Sequence, residues 1–442
     1  MKKFGLSAVA IITLSFALAG CGSGKKSTTP KTAPTSGLST RVFASQSISS
    51  LTANPGLVVI NGLYDSLAKA PRIQAGTAPG YMEISPSRAT LMVFDSATND
   101  IDVVNTAEEK LSGTIPLPGP TISMVAPSNS VGYVAVPSAP VIGQPQGAVE
   151  ALNLASSSIT ASISVPNAQY VVSNSGGSQL LVFSNDSNSL TVIAPLLLNT
   201  GSPSPVTTVV PGFDRPVWAV FSADGSTAYV LNCGPQCGGT QASVQPLNMT
   251  TLAPGTPVPV DAATIALLSG STLYVAGTPP NNNPCTGQVT AATSCGRLDI
   301  VDLNTMTVTN RVVITDGYHD RIDLTSNGQL FIGSYNCTNI GNVNAVNPTG
   351  EIRGCLSIYN TAIPNNTSAI IPPDNGDVTG LQNISRPPED MVETGFVEYV
   401  AEGGNLRVYN LETDKLISDF YVETGTITIT GQVIDVKAVD FF

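Results

Sequence analysis

The stretch FSADGSTAYVLNCGPQC, residues 221–237, holds two short apolar runs around an Asp224-Gly225 pair, then two cysteines closing a small loop. An Asp-Gly pair between β-prone runs signals a tight hairpin. The spacing of its second run decides the fold. AYVLN at 228–232 aligns with RVFAS (41–45), LMVFD (91–95), GYVAV (132–136), LLVFS (180–184), LYVAG (273–277), LFIGS (330–334) and EYVAE (398–402). The second residues of these runs are 50, 41, 48, 48, 45, 57 and 68 positions apart in chain order. A recurrence near 40–50 residues with strand composition throughout marks a closed array of four-stranded units.

Each run keeps its context. Upstream sits another short strand: YMEIS (81–85), ISMVA (122–126), QYVVS (169–173), VWAVF (217–221), ATIAL (263–267), DRIDL (320–324) and EDMVE (389–393). Downstream come two more, as in LDIVDLNTMTVTNRVVI (298–314) and LRVYNLETDKLISDFYV (406–422). With strands named A to D, the pattern predicts an all-β propeller of four-stranded antiparallel blades. Residues 40–75 supply B, C and D strands (RVFAS, LVVIN, PRIQA) without an A strand, while GQVIDVKAVDFF (431–442) supplies an A strand without a successor. Pairing the two completes the first blade, removes the open edge and gives eight blades. A degenerate first blade would make seven.

Residues 222–232 together with IVDLNTMTVTNRVVI resemble the YVTN-type β-propeller repeat of the WD40/YVTN-like superfamily, over about 40–442. The resemblance implies the fold. Its members include surface and periplasmic proteins, with relatives among lactonases and haem- or quinone-binding propellers, so it specifies no single activity.

The ends give an address. MKKFGLSAVAIITLSFALAGC pairs Lys2 and Lys3 with an apolar run too short for a mature membrane span, the form of a secretory signal over 1–20. Leu18-Ala19-Gly20-Cys21 resembles the bacterial lipobox, which implies lipidation of Cys21. By the same resemblance, Gly22 in place of Asp favours the outer membrane of the cell envelope. Residues 21–39 are rich in Ser, Thr, Pro, Gly and Lys and read as a flexible tether, leaving 40–442 as one domain. The expected membrane contact is the lipid anchor alone.

Only 11% of residues are charged and 42% are hydrophobic. Without Lys2 and Lys3, 17 Lys+Arg face 31 Asp+Glu, a net charge of −14. Such acidity argues against a nucleic-acid partner. Six cysteines remain besides Cys21, an even number in an exported chain, which reads as disulfides. Composition alone allows fifteen pairings. Proximity favours Cys233–Cys237, Cys285–Cys295 and Cys337–Cys355, each after a B strand of one of three successive blades.

In a propeller the A strands line a central channel, and the D–A and B–C loops crown one of its ends. The D–A entries hold Asp214, Arg215, His319, Asp320, Arg321, Arg386, Glu389 and Asp435. His319, the single histidine, is a general-base or metal-ligand candidate, though without a second histidine it reads first as a residue capping its strand. The carboxylates suggest a cation or amine site, with calcium the cation considered; the competing reading is ion pairing between loops. Trp218, the single tryptophan, reads first as inter-blade packing and second as a stacking platform for a sugar. No haem-attachment, nucleophile-elbow, phosphate-loop or metalloprotease motif is present, and no organic cofactor is expected. The expected function is non-catalytic binding or scaffolding by a monomer, with a protein or glycan held at the loop-bearing face. The rivals are a lactonase-like or other hydrolase at the channel mouth and a cation-stabilised structural propeller.

Overall fold

The computed structural model describes residues 34–47, 56–194, 206–280, 295–337, 354–367, 369–372, 376–385, 395–417, 425–429 and 431–440. Eight antiparallel sheets follow one another around a ring. Blade 1 joins Arg41–Ser47, Val58–Asn61 and Ser66–Leu67 to the C-terminal strand Gln432–Ala438, which lies innermost. Val42 pairs with Ala438, and Ala44 with Val436. The ends of the domain therefore close the ring. Blade 7 has three named strands, Tyr318–Leu324, Gln329–Tyr335 and Leu356–Asn360, with an isolated Ile358–Ile370 bridge at the D position.

Local sequence explains the radial order of strands. Leu180–Ser184 is buried along nearly its whole length because both its faces meet neighbouring blades, so it reads as a continuous apolar run. Tyr133, Ala135 and Val149 of blade 3 pack in one cluster with Val171, Leu180 and Val182 of blade 4. Each of the valines and the leucine contributes about 1.5–3 kcal/mol when buried. D strands are Ser- and Thr-rich because they form the rim, as in Val206–Pro211, where only one residue is buried.

The hairpin in the founding stretch follows from its residues. Gly225 N–H donates to the Ser222 carbonyl at 2.9 Å, closing a turn that Gly225 leaves at φ 69°. Asp224 accepts from the Ser222 hydroxyl at 2.7 Å and the Ser226 N–H at 3.0 Å. These bonds hold its carboxyl down at about 2.

Polar side chains stitch adjacent A strands. The Asp435 carboxylate accepts from Met82 N–H at 2.8 Å between blades 1 and 2. Val171 N–H donates to the Ser123 hydroxyl at 3.0 Å between blades 3 and 4. Thr264 Oγ1 donates to the His319 carbonyl at 2.7 Å between blades 6 and 7. Ala438 N–H donates to Gln382 Oε1 at 3.0 Å, joining blade 8 to blade 1.

Two strand assignments are corrected. The inner strand of blade 8 is Val378–Ser385, not EDMVE. Val378, Gly380, Leu381 and Ile384 of VTGLQNIS are buried, whereas EDMVE offers only the two adjacent apolar residues Met391 and Val392 between carboxylates. EDMVE, with Arg386 and Glu389, lies outside the described residues and follows the inner strand in sequence. In blade 1 the outer strand is Ser66–Leu67 rather than PRIQA, in which Ile73 forms only an isolated bridge with Leu57. Pro71 has no N–H to offer a ladder.

Candidate functional site

A cavity of about 650 Å³ occupies the centre of the ring. It opens at the end where the A strands begin, on the side of the D–A and B–C loops. Six aromatic residues from four blades line it: Tyr81, Phe94, Tyr170, Trp218, Tyr318 and Tyr335. Tyr170 and Trp218 meet edge to face at 6.1 Å, and Tyr318 and Tyr335 at 5.3 Å with a tilt of 38°.

A backbone device places these groups. The A strands of blades 4, 5 and 7 each shift register near their first residues, between Ala168 and Tyr170, Pro216 and Trp218, and His319 and Arg321. Blades 2 and 8 shift at the same place, between Pro79 and Met82 and between Val378 and Gly380. A bulge re-aims the side chains beside it. Tyr170, Trp218 and Arg321, each following its bulge, line the cavity.

The same shift turns His319 away. It is fully buried against blade 6, with its ring near Gly296, and does not line the cavity. Burial pushes its pKa down to about 4, so the ring is neutral. As a channel-mouth ligand His319 is therefore corrected: its side chain packs between blades.

The charged groups of the cavity are paired. Arg321 meets Asp320 at 3.0 Å and donates to the Thr379 carbonyl at 2.7 Å. Lys437 lies 3.4 Å from Asp435. Both cations also sit near the Tyr81 ring, Arg321 at 5.4 Å and Lys437 at 5.8 Å from its centroid, a favourable arrangement with an aromatic face. Burial raises the Asp320 pKa, opposed by Arg321. Burial pushes Tyr335 up to about 12, and raises Tyr81, Tyr170 and Tyr318 as well. All four hydroxyls therefore stay protonated at neutral pH. The site offers hydroxyls, two internally neutralised ion pairs and aromatic walls. Among the described residues no cluster of His, Cys, Asp and Glu is arranged to hold a metal.

The other expected residues serve the crown. The Asp214 carboxylate accepts the N–H groups of Thr240 at 2.8 Å and Gln241 at 2.7 Å, bracing the loop beyond Cys237. Arg215 pairs with Asp186 of blade 4 at 3.3 Å. Asp435, buried, is chiefly a stitch between blades 1 and 2. Trp218 both lines the cavity and packs against apolar clusters of neighbouring blades. Arg386 and Glu389 lie outside the described residues, as does Cys21.

Disulfides Cys233–Cys237 and Cys337–Cys355 are formed, with Cα separations of 5.6 and 5.5 Å. Cys295 is disulfide-bonded; its expected partner Cys285 lies outside the described residues. The braced loops are tied in series. Gln236 Oε1 accepts from Thr278 N–H at 2.9 Å, and Thr278 Oγ1 donates to the Gly317 carbonyl at 2.7 Å. Gly317 has φ 98°, and an added Cβ would lie 2.6 Å from the Tyr335 carbonyl oxygen, so only glycine fits.

The aromatic lining was reachable from the repeat. Once the blades are aligned by their B strands, Tyr170, Trp218 and Arg321 fall opposite Phe183, Leu231 and Gly333, which are equivalent positions.

No protein-family model matches the chain, and no curated protein does. Solved structures do. The dihydro-haem d1 dehydrogenase NirN in complex with DHE aligns with a TM-score of 0.56 at 11% identity, over 92% of this chain and 79% of that one. The Dos1 propeller aligns at 0.53 and 8% identity, over 82% and 84%. The periplasmic gluconolactonase PpgL of Pseudomonas aeruginosa aligns at 0.46 and 13% identity, over 91% and 99%. Identities this low show a shared fold alone. The chain is an eight-bladed β-propeller.

Proposed function

We propose that this propeller is a non-catalytic binding protein that takes a neutral, hydroxyl-rich ring compound of the saccharide class into its central cavity through the loop-bearing face. One observation carries the reading: six aromatic residues from four blades surround a cavity of about 650 Å³ whose described charges are already paired. Its volume lies within the range of about 300–1,000 Å³ usual for small-molecule sites. Aromatic faces suit the apolar faces of a sugar ring. The tyrosine hydroxyls and the Asp320–Arg321 and Lys437–Asp435 pairs supply donors and acceptors for its rim. A ligand with net charge would leave one member of these pairs uncompensated, which low-dielectric surroundings penalise.

The proposal includes the address read from the N-terminus: a lipid-anchored, monomeric protein of the bacterial cell envelope, held by Cys21, with neither nucleic acid nor organic cofactor as partner. Thermal-shift screening of the mature chain against saccharides, lactones and calcium tests it. Saccharides that raise the melting temperature of the wild type, and do so less for Trp218→Ala, support the reading. Stabilisation by calcium alone, or turnover of a lactone, overturns it in favour of the cation-stabilised or hydrolase alternative.

A further inference from the structure

We infer that the site takes a chain of at least two rings, with the second ring in a groove running outward from the cavity between blades 4 and 5. The inference rests on the saccharide reading and specifies the length of the ligand. A second compartment of about 280 Å³ shares Tyr170, Val217, Tyr318 and Tyr335 with the central cavity, so the two have common walls. Its inner side is aromatic. Its outer side is polar, with Gln169, Asn185, Asp186 and Arg215. That change along one groove suits a ligand that stacks at one end and offers hydroxyls to amides and a guanidinium at the other.

The outer groups are held in place. Asn185 Nδ2 donates to Gln169 Oε1 at 3.0 Å, which orients both amides across the groove and leaves the Gln169 N–H2 to point elsewhere. Arg215 and Asp186 both have φ 57°, the left-handed region that ordinary side chains rarely adopt. Such strain persists only where its surroundings enforce it. For Arg215, Asn188 Oδ1 accepts the backbone N–H at 3.2 Å. Neighbouring Asp214 is fixed by Thr240 and Gln241, beyond the Cys233–Cys237 brace. Cys237 itself lines the groove. The small disulfide loop thus shapes the outer wall of a binding groove.

Arg215 is available to a ligand. Among the described residues its ion-pair partner is Asp186, whose side chain is 90% exposed. Exposed pairs of this kind are weak and give way readily to another partner. A guanidinium presents several coplanar donors, suited to adjacent hydroxyls on one ring.

The experiment is a glycan array of monomers to tetramers of glucose, galactose and N-acetylglucosamine, followed by calorimetric titration of the best-binding series. The dimer is expected to bind at least about tenfold more tightly than the monomer. Arg215→Gln and, independently, Asn185→Ala should bring the dimer's affinity towards that of the monomer, while Trp218→Ala weakens monomer and dimer together. A monomer that binds as tightly as its dimer, or a dimer indifferent to both groove substitutions, overturns the groove and leaves the central site standing. Failure of every sugar to bind overturns both.

Discussion

Replacing Arg41 by alanine should open the ring at one seam. Arg41 lies on the B strand of blade 1, and its guanidinium holds three partners. It donates to both oxygens of Asp440, at 2.9 and 2.8 Å, just beyond the closing strand. It also reaches the Thr106 carbonyl at 2.7 Å and Glu109 of blade 2 at 3.2 Å. The side chains of Arg41 and Glu109 are 7% and 2% exposed. Truncating one partner of a buried pair costs about 3–5 kcal/mol, because the other charge stays buried without compensation. Among the described residues, Glu109 would keep its bonds to Ser36, from the N–H at 2.6 Å and the hydroxyl at 2.5 Å. The assay is hydrogen exchange followed by mass spectrometry, with denaturant unfolding in parallel. Arg41→Ala should lose about 3–5 kcal/mol, with protection falling first in 432–438 and 41–47. Adding Glu109→Gln should recover part of the loss. A loss below about 1 kcal/mol, or opening that begins at another blade, would refute the clasp.

Glu398 is fully buried beside Asp323, and its pKa is raised well above the usual value of 4.5, by burial first and by Asp323 second. A raised folded-state pKa means stability that is complete below the unfolded value and is lost as pH rises towards the folded one; Glu398→Gln should flatten unfolding midpoints measured from about pH 5 to 8, and an unchanged slope would count against the pair. Removing Cys337–Cys355, which closes a loop with a sequence separation of 18, should cost about 3 kcal/mol of stability, against about 2 for Cys233–Cys237 with a separation of 4, both read from unfolding midpoints. Leu273, fully buried on a B strand, should lose about 2–5 kcal/mol on truncation to alanine, while a comparable cut at exposed Val209 should change the midpoint little.

The blades were legible because each B strand is buried on both faces and so reads as an unbroken apolar run, and because turns such as Asp224-Gly225 mark the hairpins. The closing strand was legible from a missing first strand at one end and a surplus at the other. The inner strand of blade 8 was not. VTGLQNIS carries a glycine and polar residues that face the channel or the stitching bonds, so its pattern is weak, and EDMVE lies at the expected distance from the next run. The site was half legible. Loop positions nominated Arg215, Asp320, Arg321 and His319; Asp320 and Arg321 line the central cavity and Arg215 the compartment beside it. A one-residue register shift beyond His319 sends its ring between blades and brings Arg321 to the cavity. Such a bulge leaves no compositional trace. The tyrosines escaped notice because A-strand aromatics read as packing until the bulges align them.

Trp218 is the only tryptophan in the chain and lines the cavity, so its fluorescence reports directly on occupancy. Titration of the wild-type domain with the array-selected saccharide should give a saturable change in Trp218 emission whose midpoint matches the calorimetric affinity. Calorimetric binding with no change in Trp218 emission, or with affinity unaltered in Trp218→Ala, would place the ligand elsewhere and contradict the central-cavity account.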